Sequence, residues 1–250
     1  MTEAEKPRKR IELIDTLRGV AVFLMVFHHF FYDLCWLLGD WTAEVFGSRW
    51  VLFSNPVFDF LHYIFAGLFI FLAGLSCRLS RSNLRRGAIC FAIAMVMTFV
   101  TSLPLIDSPI RFGVLHLLGL SMMIYGLAAD KNVPRFLRLG IYLALFAASI
   151  WLTSSVSTEE IAKWLFPLGW TYPGFYSADY FPLFPWLFVF LVGSWAGYYV
   201  ADKKLPARFY DRKGVPFFSW LGKKALIIYI IHQPILYGLV MLIKLISQNG

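Results

Sequence analysis

Seven long apolar segments restrict what this sequence can fold into more than any other feature. Each holds roughly 18 to 25 residues, about the length that an α-helix needs to cross a hydrocarbon core of about 30 Å. Unpaired backbone groups are costly in lipid, so such segments are expected to be helices. The segments are Ile14–Leu38, Pro56–Cys77, Gly87–Ile106, Ile110–Ala128, Leu137–Ser154, Pro182–Ala201 and Gly222–Ile246. The sequence therefore predicts an all-α, polytopic membrane bundle of about seven transmembrane helices.

Composition supports this fold class and excludes several others. The 250 residues are 59% hydrophobic and 15% charged, whereas soluble domains are nearer half apolar and a quarter charged. This balance excludes an ordinary water-soluble globule, a disordered chain and a basic nucleic-acid-binding domain, so no nucleic-acid partner is expected. Cys35, Cys77 and Cys90 form no C-x-x-C pair, which predicts neither a disulfide framework nor a metal site.

The distribution of basic residues predicts the orientation. Eighteen of the 23 Lys and Arg residues lie in the N-terminal arm and in residues 78–86, 130–138 and 202–224, and only four lie in the segments on the opposite side. Cytoplasmic loops carry such an excess. We expect residues 1–13 to form a basic cytoplasmic arm and residues 14–250 a single transmembrane domain, with the C-terminus outside.

The first apolar segment carries charged and imidazole groups where lipid makes them costly, so they are functional hypotheses. At 100° per residue, Asp15, Arg18, His29 and Asp33 share one helix face. Two neighbouring pairs follow, Asp15 with Arg18 and His29 with Asp33, and the second would orient the imidazole as a base. An interfacial ion pair and a helix-packing hydrogen bond are the structural alternatives.

Other segments supply polar side chains at a matching depth. Each is more simply explained as structural when taken alone, and His62 is interpreted as a packing histidine. Together they are expected to converge around a water-filled cavity in the outer half of the bundle. These residues are Asp59, His62, Asp107, Arg111, His116, Asp179, Tyr229, His232 and Gln233.

Four arginines, Arg78, Arg81, Arg85 and Arg86, lie between the second and third segments. They are expected to set topology and to contact anionic lipid headgroups. Docking of a phosphate-bearing cofactor is the alternative interpretation.

Several motifs resemble one known family. The runs Ile14–Gly19 and Met25–Leu34 resemble the opening of the bacterial DUF1624 proteins, which belong with the heparan-alpha-glucosaminide N-acetyltransferase catalytic domain family in the wider transmembrane acyltransferase superfamily. Three later blocks fit the same pattern in order along the chain: Arg111–His116, Asp179–Trp186, and Leu221–Gly222 with Tyr229 and His232–Pro234.

This resemblance implies an O- or N-acyltransferase of the bacterial inner membrane. It would move an acyl group, expected to be acetyl, from cytoplasmic acetyl-CoA to a hydroxyl or amine of an envelope sugar or glycan. Membrane lipid is an expected partner, and a homo-oligomer is left open. In related enzymes an arginine and a histidine eleven residues later form the functional pair, as Arg18 and His29 would here.

The resemblance also implies roles for the polar residues. His29 would act as base or acyl carrier, with Asp33, His116 and His232 as further catalytic groups. The donor would contact Asp15, Arg18 and Arg78. The acceptor would contact Arg111, Asp179, Tyr229 and Gln233.

Three other function classes fit the same composition. A lipid or sugar carrier would use the polar cavity without chemistry, although the lack of a visible repeat argues mildly against it. A haem-binding electron carrier would pair histidines such as His29 and His116. A structural envelope protein would use the polar groups for helix packing.

Overall fold

The computed structural model describes residues 10–39, 43–44, 55–80, 82–104, 108–127, 133–155 and 162–248. Most of the predicted N-terminal arm lies outside these ranges, as do Arg81 and Asp107.

Helices make up most of the described chain, which confirms the predicted all-α fold. The α-helices are α1 (Glu12–Leu37), α2 (Pro56–Leu79), α3 (Asn83–Thr101), α4 (Val114–Leu127), α5 (Arg135–Ser155), α6 (Ala162–Leu165), α7 (Leu183–Ala201), α8 (Ala207–Asp211), α9 (Pro216–Lys223) and α10 (Ala225–Gln248). Six of them, α1, α2, α3, α5, α7 and α10, are long and apolar enough to cross a membrane. The chain is a multi-pass membrane protein.

The fourth predicted segment is shorter than expected. Helix α4 has 14 residues and is therefore about 21 Å long, instead of covering residues 110–128. The residues before it contact a loop that is far away in the sequence. Phe112 forms an isolated parallel bridge with Tyr180, and its carbonyl accepts the N–H of Phe181 at 3.0 Å. These long-range contacts delay the start of the helix.

The chain divides into two compact units, which are described separately. The first unit comprises Met1–Phe69 and Leu205–Gly250, and the second comprises Ile70–Lys204. The first unit holds α1, the first part of α2, and α8 to α10. The second holds the remainder of α2 and α3 to α7.

In the first unit, two glycines let α1 and α9 touch backbone to backbone. A Cβ on Gly19 would lie 1.8 Å from the Phe218 carbonyl oxygen, and one on Gly222 would lie 1.9 Å from that of Asp15. Small residues allow such crossings in membranes. This close contact lies at the N-terminal end of the polar face of α1.

The second unit also contains two helices that touch backbone to backbone at glycines. A Cβ on Gly74 of α2 would lie 1.9 Å from the Phe190 carbonyl oxygen of α7, and one on Gly193 would lie 2.1 Å from that of Phe71. Helices α2 and α7 therefore also pack through their backbones.

We expect Gly222→Ala to destabilise the protein, because the new methyl group meets the rigid Asp15 carbonyl rather than a movable side chain. Overpacking of this kind costs about 1–3 kcal/mol. Thermal unfolding of the detergent-solubilised protein measures the effect. Gly238→Ala is the matched control, since its Cβ meets nothing within 4 Å. Equal melting temperatures for the two variants would contradict the proposed crossing.

Candidate functional site

Four of the five histidines form a continuous row of rings in the first unit. The ring centroids of His62 and His28 lie 4.2 Å apart, those of His28 and His29 5.7 Å, and those of His29 and His232 4.9 Å. Helices α1, α2 and α10 contribute the residues. The row brings together two predicted site residues, His29 and His232, from opposite ends of the sequence.

Hydrogen bonds to helix carbonyls assign the tautomers of that pair. Nδ1 of His29 lies 3.3 Å from the Met25 carbonyl oxygen, and Nδ1 of His232 lies 2.8 Å from that of Tyr229. A carbonyl only accepts, so each Nδ1 carries the proton, and in the neutral imidazole each Nε2 then carries a lone pair. The buried Nε2 of His232 has no hydrogen-bond partner among the described residues. The pair therefore offers two basic nitrogens.

A buried amide–carboxylate contact adjoins the imidazole pair. Gln233 donates from Nε2 to Oδ1 of Asp33 at 2.8 Å, and Asp33 is only 3% exposed. The other oxygens of both groups, Oδ2 of Asp33 and Oε1 of Gln233, are buried without a partner in the described ranges. Two hydrogen-bond acceptors thus remain available.

The predicted hydrogen bond between His29 and Asp33 is not formed within the described residues. Nδ1 of His29 instead reaches the Met25 carbonyl, one helical turn earlier. The bonded oxygen of Asp33 faces Gln233 on α10. A backbone carbonyl therefore orients His29. The Asp33 carboxylate instead accepts a hydrogen bond that joins α1 to α10.

This cluster contains hydrogen-bond acceptors in excess. His29 and His232 each present Nε2, and Asp33 and Gln233 each present an oxygen. Neighbouring positions on α1 and α10 carry all four groups. A ligand that complements them must bring hydrogen-bond donors, as a hydroxyl or an amine does.

The predicted ion pair near the start of α1 is confirmed. Arg18 donates from Nη1 to Oδ1 of Asp15 at 2.8 Å, and Asp15 is 6% exposed. Asp33, five turns along the same helix, is also buried. The polar face of α1 is therefore turned into the protein at both ends.

In the second unit, His116 uses both of its ring nitrogens. Its Nδ1 accepts the N–H of Gly113 at 3.1 Å, so Nε2 is protonated and donates to Oγ1 of Thr98 at 3.1 Å. The Thr98 hydroxyl donates in turn to the Ile110 carbonyl at 2.7 Å. These bonds hold the turn before α4 against α3.

Arg111 and Asp179 lie in two segments, residues 110–114 and 176–181, which are hydrogen-bonded to each other. We call this pair of segments the brace. The Nε of Arg111 donates to the Tyr176 carbonyl at 3.0 Å. Oδ2 of Asp179 accepts the N–H of Val114 at 3.0 Å. An acidic side chain at a helix start is favourable. The geometry gives both residues a part in positioning α4.

Tyr180 strengthens the same brace. Its hydroxyl donates to the Phe166 carbonyl at 2.7 Å, and burial raises the pKa of the phenol to about 12. The phenol therefore remains a protonated donor throughout the neutral pH range.

The predicted site residues thus fall into two groups, one in each unit. The first group holds Asp15, Arg18, His29, Asp33, Tyr229, His232 and Gln233, and the second holds Arg78, Arg111, His116 and Asp179. Two histidines of the ring row, His28 and His62, were not predicted as site residues. His28 points a quarter-turn away from the polar face of α1, and the sequence favours a packing role for His62.

Neighbouring histidine rings of the row meet tilted or edge-on, with interplanar angles of 34° for His62 and His28, 84° for His28 and His29, and 64° for His29 and His232. Among the described residues, no group of three or more His, Cys, Asp or Glu side chains is placed to hold a metal.

The family described as heparan-alpha-glucosaminide N-acetyltransferase, catalytic, matches residues 10–234. The chain belongs to this family. The match ends just after Gln233 and so includes both imidazoles of the pair and the amide–carboxylate contact. No curated protein and no solved structure matches the chain. Membership of the heparan-alpha-glucosaminide N-acetyltransferase catalytic family implies membrane acetyltransferase-type activity and confirms the resemblance noted from the motifs.

We expect Gln233→Leu to destabilise the protein by about 1.5–3 kcal/mol, because it removes a hydrogen bond to a buried charged group. A double-mutant cycle with Asp33→Leu, followed by thermal unfolding, isolates the interaction between the two side chains. Asp33→Asn is the control, since an amide still accepts from Gln233. Additive effects of the two leucine substitutions would show that the contact contributes nothing.

Proposed function

We propose that this protein transfers an acyl group, acetyl in the simplest case, from a CoA thioester to a hydroxyl or amine of an envelope sugar or glycan. The observation that carries the proposal is the imidazole pair with two available Nε2 atoms beside the unpaired oxygens of Asp33 and Gln233. An acyl acceptor must bring an O–H or N–H group and lose its proton. The family match supports the same chemistry.

The proposed reaction uses the Nε2 lone pair of His29 to accept a proton. The acceptor O–H or N–H donates to Nε2 of His29, which takes the proton as the acceptor attacks the thioester carbonyl. The tetrahedral intermediate collapses with cleavage of the C–S bond. The imidazolium then returns the proton to the departing thiolate, so that the products are the acylated acceptor and CoA as a thiol. Attack by Nε2 itself, giving an acyl-histidine, is the covalent variant of this route.

The neighbouring groups are assigned supporting parts. His232 lies against the ring of His29 and binds the acceptor through its own Nε2. Asp33 and Gln233 accept from further hydroxyl or amine groups of the same molecule. Tyr229, whose ring centroid lies 5.8 Å from that of His232, borders the acceptor.

Arg18 and Asp15 are proposed to guide the donor at the other end of α1. Eleven residues separate Arg18 from His29, about 16 Å along the helix. The arginine is held by Asp15 at 2.8 Å.

We propose that His116, Arg111 and Asp179 have structural roles rather than catalytic or substrate-binding ones. The hydrogen bonds of their polar atoms hold α4 and the 176–181 segment. The same geometry disfavours a haem pair of His29 and His116, because iron ligation would require His116 to give up a bonded nitrogen.

The membrane location is proposed from charge. The excess of Lys and Arg in residues 78–86, 130–138 and 202–224 supports a cytoplasmic N-terminus in a bacterial inner membrane. A cytoplasmic thioester would then reach the protein from its basic side.

We expect His29→Ala to lower the rate of acyl transfer by about 10²–10⁴-fold, because general-base catalysis contributes a factor of this size. The assay follows a labelled acetyl group from acetyl-CoA into envelope sugars, with the protein in lipid vesicles. Phe27→Ala is the control, since this exposed residue lies on the same helix but off its polar face. Wild-type turnover by His29→Ala would remove His29 from the mechanism, and substrate movement without acylation would favour a carrier.

A further inference from the structure

Two short helices of the first unit, α8 and α9, lie next to the starts of two membrane-spanning helices. With five and eight residues, they are too short to cross a bilayer. Helix α10 begins at Ala225, directly after α9, and Glu12 at the start of α1 is hydrogen-bonded to the loop between α8 and α9. Residues 205–224, which we call the surface segment, are therefore expected at the membrane surface.

The surface segment is strongly basic. Its single acidic residue is Asp211. Its five basic residues, all of them exposed, are Arg208, Arg212, Lys213, Lys223 and Lys224. Clusters of basic residues beside a membrane helix attract anionic lipid headgroups.

Helix α9 has an inner face and an outer face. Gly222 and Ser219 lie against α1, whereas Phe217 and Trp220, three residues apart, are each more than half exposed. Aromatic side chains next to lysines are typical of helices that lie at the level of the lipid headgroups. The outer face of α9 thus adds apolar surface beside the basic residues.

A cavity of about 570 Å³ lies between the start of α1 and α8. Its apolar lining comes from Leu13, Leu205, Pro206 and Phe209. Ligand pockets commonly have volumes of about 300–1,000 Å³. The cavity is therefore larger than a phosphate ion requires and has room for apolar groups of the same ligand.

Two guanidinium groups also line this cavity, those of Arg208 and Arg212. The N–H of Arg212 donates to the Arg208 carbonyl at 3.2 Å, so the two residues are one helical turn apart. Asp211 lines the cavity as well, but the salt bridges of the described residues involve neither arginine. Guanidinium groups bind phosphate oxygens through paired N–H donors, so the charged part of the lining suits a phosphate.

Hydrogen bonds to α1 hold the chain that follows the two arginines. The N–H of Gly214 donates to Oε2 of Glu12 at 2.9 Å. The N–H of Val215 donates to Oγ1 of Thr16 at 3.2 Å. The loop after α8 is thus fixed to the first turns of α1, beside the cavity.

We propose that the surface segment binds an anionic phospholipid, with the lipid phosphate on Arg208 and Arg212 and the upper part of its acyl chains against the apolar lining of the cavity. Charge complementarity selects this occupant, because the segment has five basic residues and one acidic residue. The apolar lining and the exposed Phe217 and Trp220 favour an amphiphile over a soluble anion. Lipid binding at this place does not require acyl transfer.

Native mass spectrometry of the full-length protein in detergent, titrated with phosphatidylglycerol, tests this binding. We expect Arg208→Gln combined with Arg212→Gln to weaken binding of the first phosphatidylglycerol molecule by about 10- to 30-fold, because two cationic contacts are lost. Arg208→Lys combined with Arg212→Lys keeps the charge and is expected to lose less. Phosphatidylcholine, which has no net charge, is expected to bind more weakly than phosphatidylglycerol and equally to the wild type and both variants.

Lys203→Gln combined with Lys204→Gln is the matched control. It removes the same charge from two exposed side chains that do not line the cavity, and it is expected to bind phosphatidylglycerol like the wild type. Inorganic phosphate is expected not to displace the lipid, because it has no apolar groups to fill the lining.

Equal affinity of the wild type for phosphatidylglycerol and phosphatidylcholine would overturn the proposal without any substitution. Equal loss of binding in the arginine pair and the control pair would also overturn it, since the attraction would then be diffuse. Displacement of the lipid by inorganic phosphate would identify a site for a soluble anion. A dimer that dissociates on substitution of the two arginines, with lipid binding unchanged, would identify a second copy of the chain as the occupant. Either of these last two results would contradict the proposal.

Discussion

Helix α1 carries carboxylates and imidazoles in an apolar interior, and α1 itself and α10 supply their partners. Asp15 and Asp33 lie five turns apart, and both are nearly inaccessible. Arg18 neutralises the first, and Gln233 donates to the second. Charges buried in a membrane segment are tolerated only with such partners. The backbone contact at Gly19 and Gly222 then holds α9 close to this polar face.

The lone pairs that these contacts leave unused are the groups that take part in the proposed acyl transfer. Backbone carbonyls of Met25 and Tyr229 fix the tautomers of His29 and His232 without using their Nε2 atoms. Buried polar groups without partners are rare and call for an explanation. Binding of an acceptor that carries several hydroxyl or amine groups explains them together. The second unit has the opposite character, since the guanidinium groups of Arg78, Arg135 and Arg138 lie around the ring of Tyr198.

Local features of the fold and site followed from the sequence, and long-range ones did not. The helical period placed Asp15 and Arg18 three residues apart on one face, and that pair is formed. The partner of Asp33 lies 200 residues away, so no local spacing could reveal that Gln233 would take the place expected of His29. The start of α4 likewise depends on Asp179, 65 residues beyond Val114. Periodicity fixes the face of a helix, but not which distant residue meets it.

The proposed chemistry requires that His29 and His232 present unprotonated Nε2 atoms to the acceptor. Nitrogen NMR of the histidine-labelled protein in lipid nanodiscs tests it most directly, because the two ring nitrogens give separate signals in each tautomer. We expect both residues to carry the proton on Nδ1, and we expect an amino-sugar or hydroxyl acceptor to shift the Nε2 signals. Protons on Nε2 in both residues, or signals unchanged by every acceptor that is acylated, would contradict it.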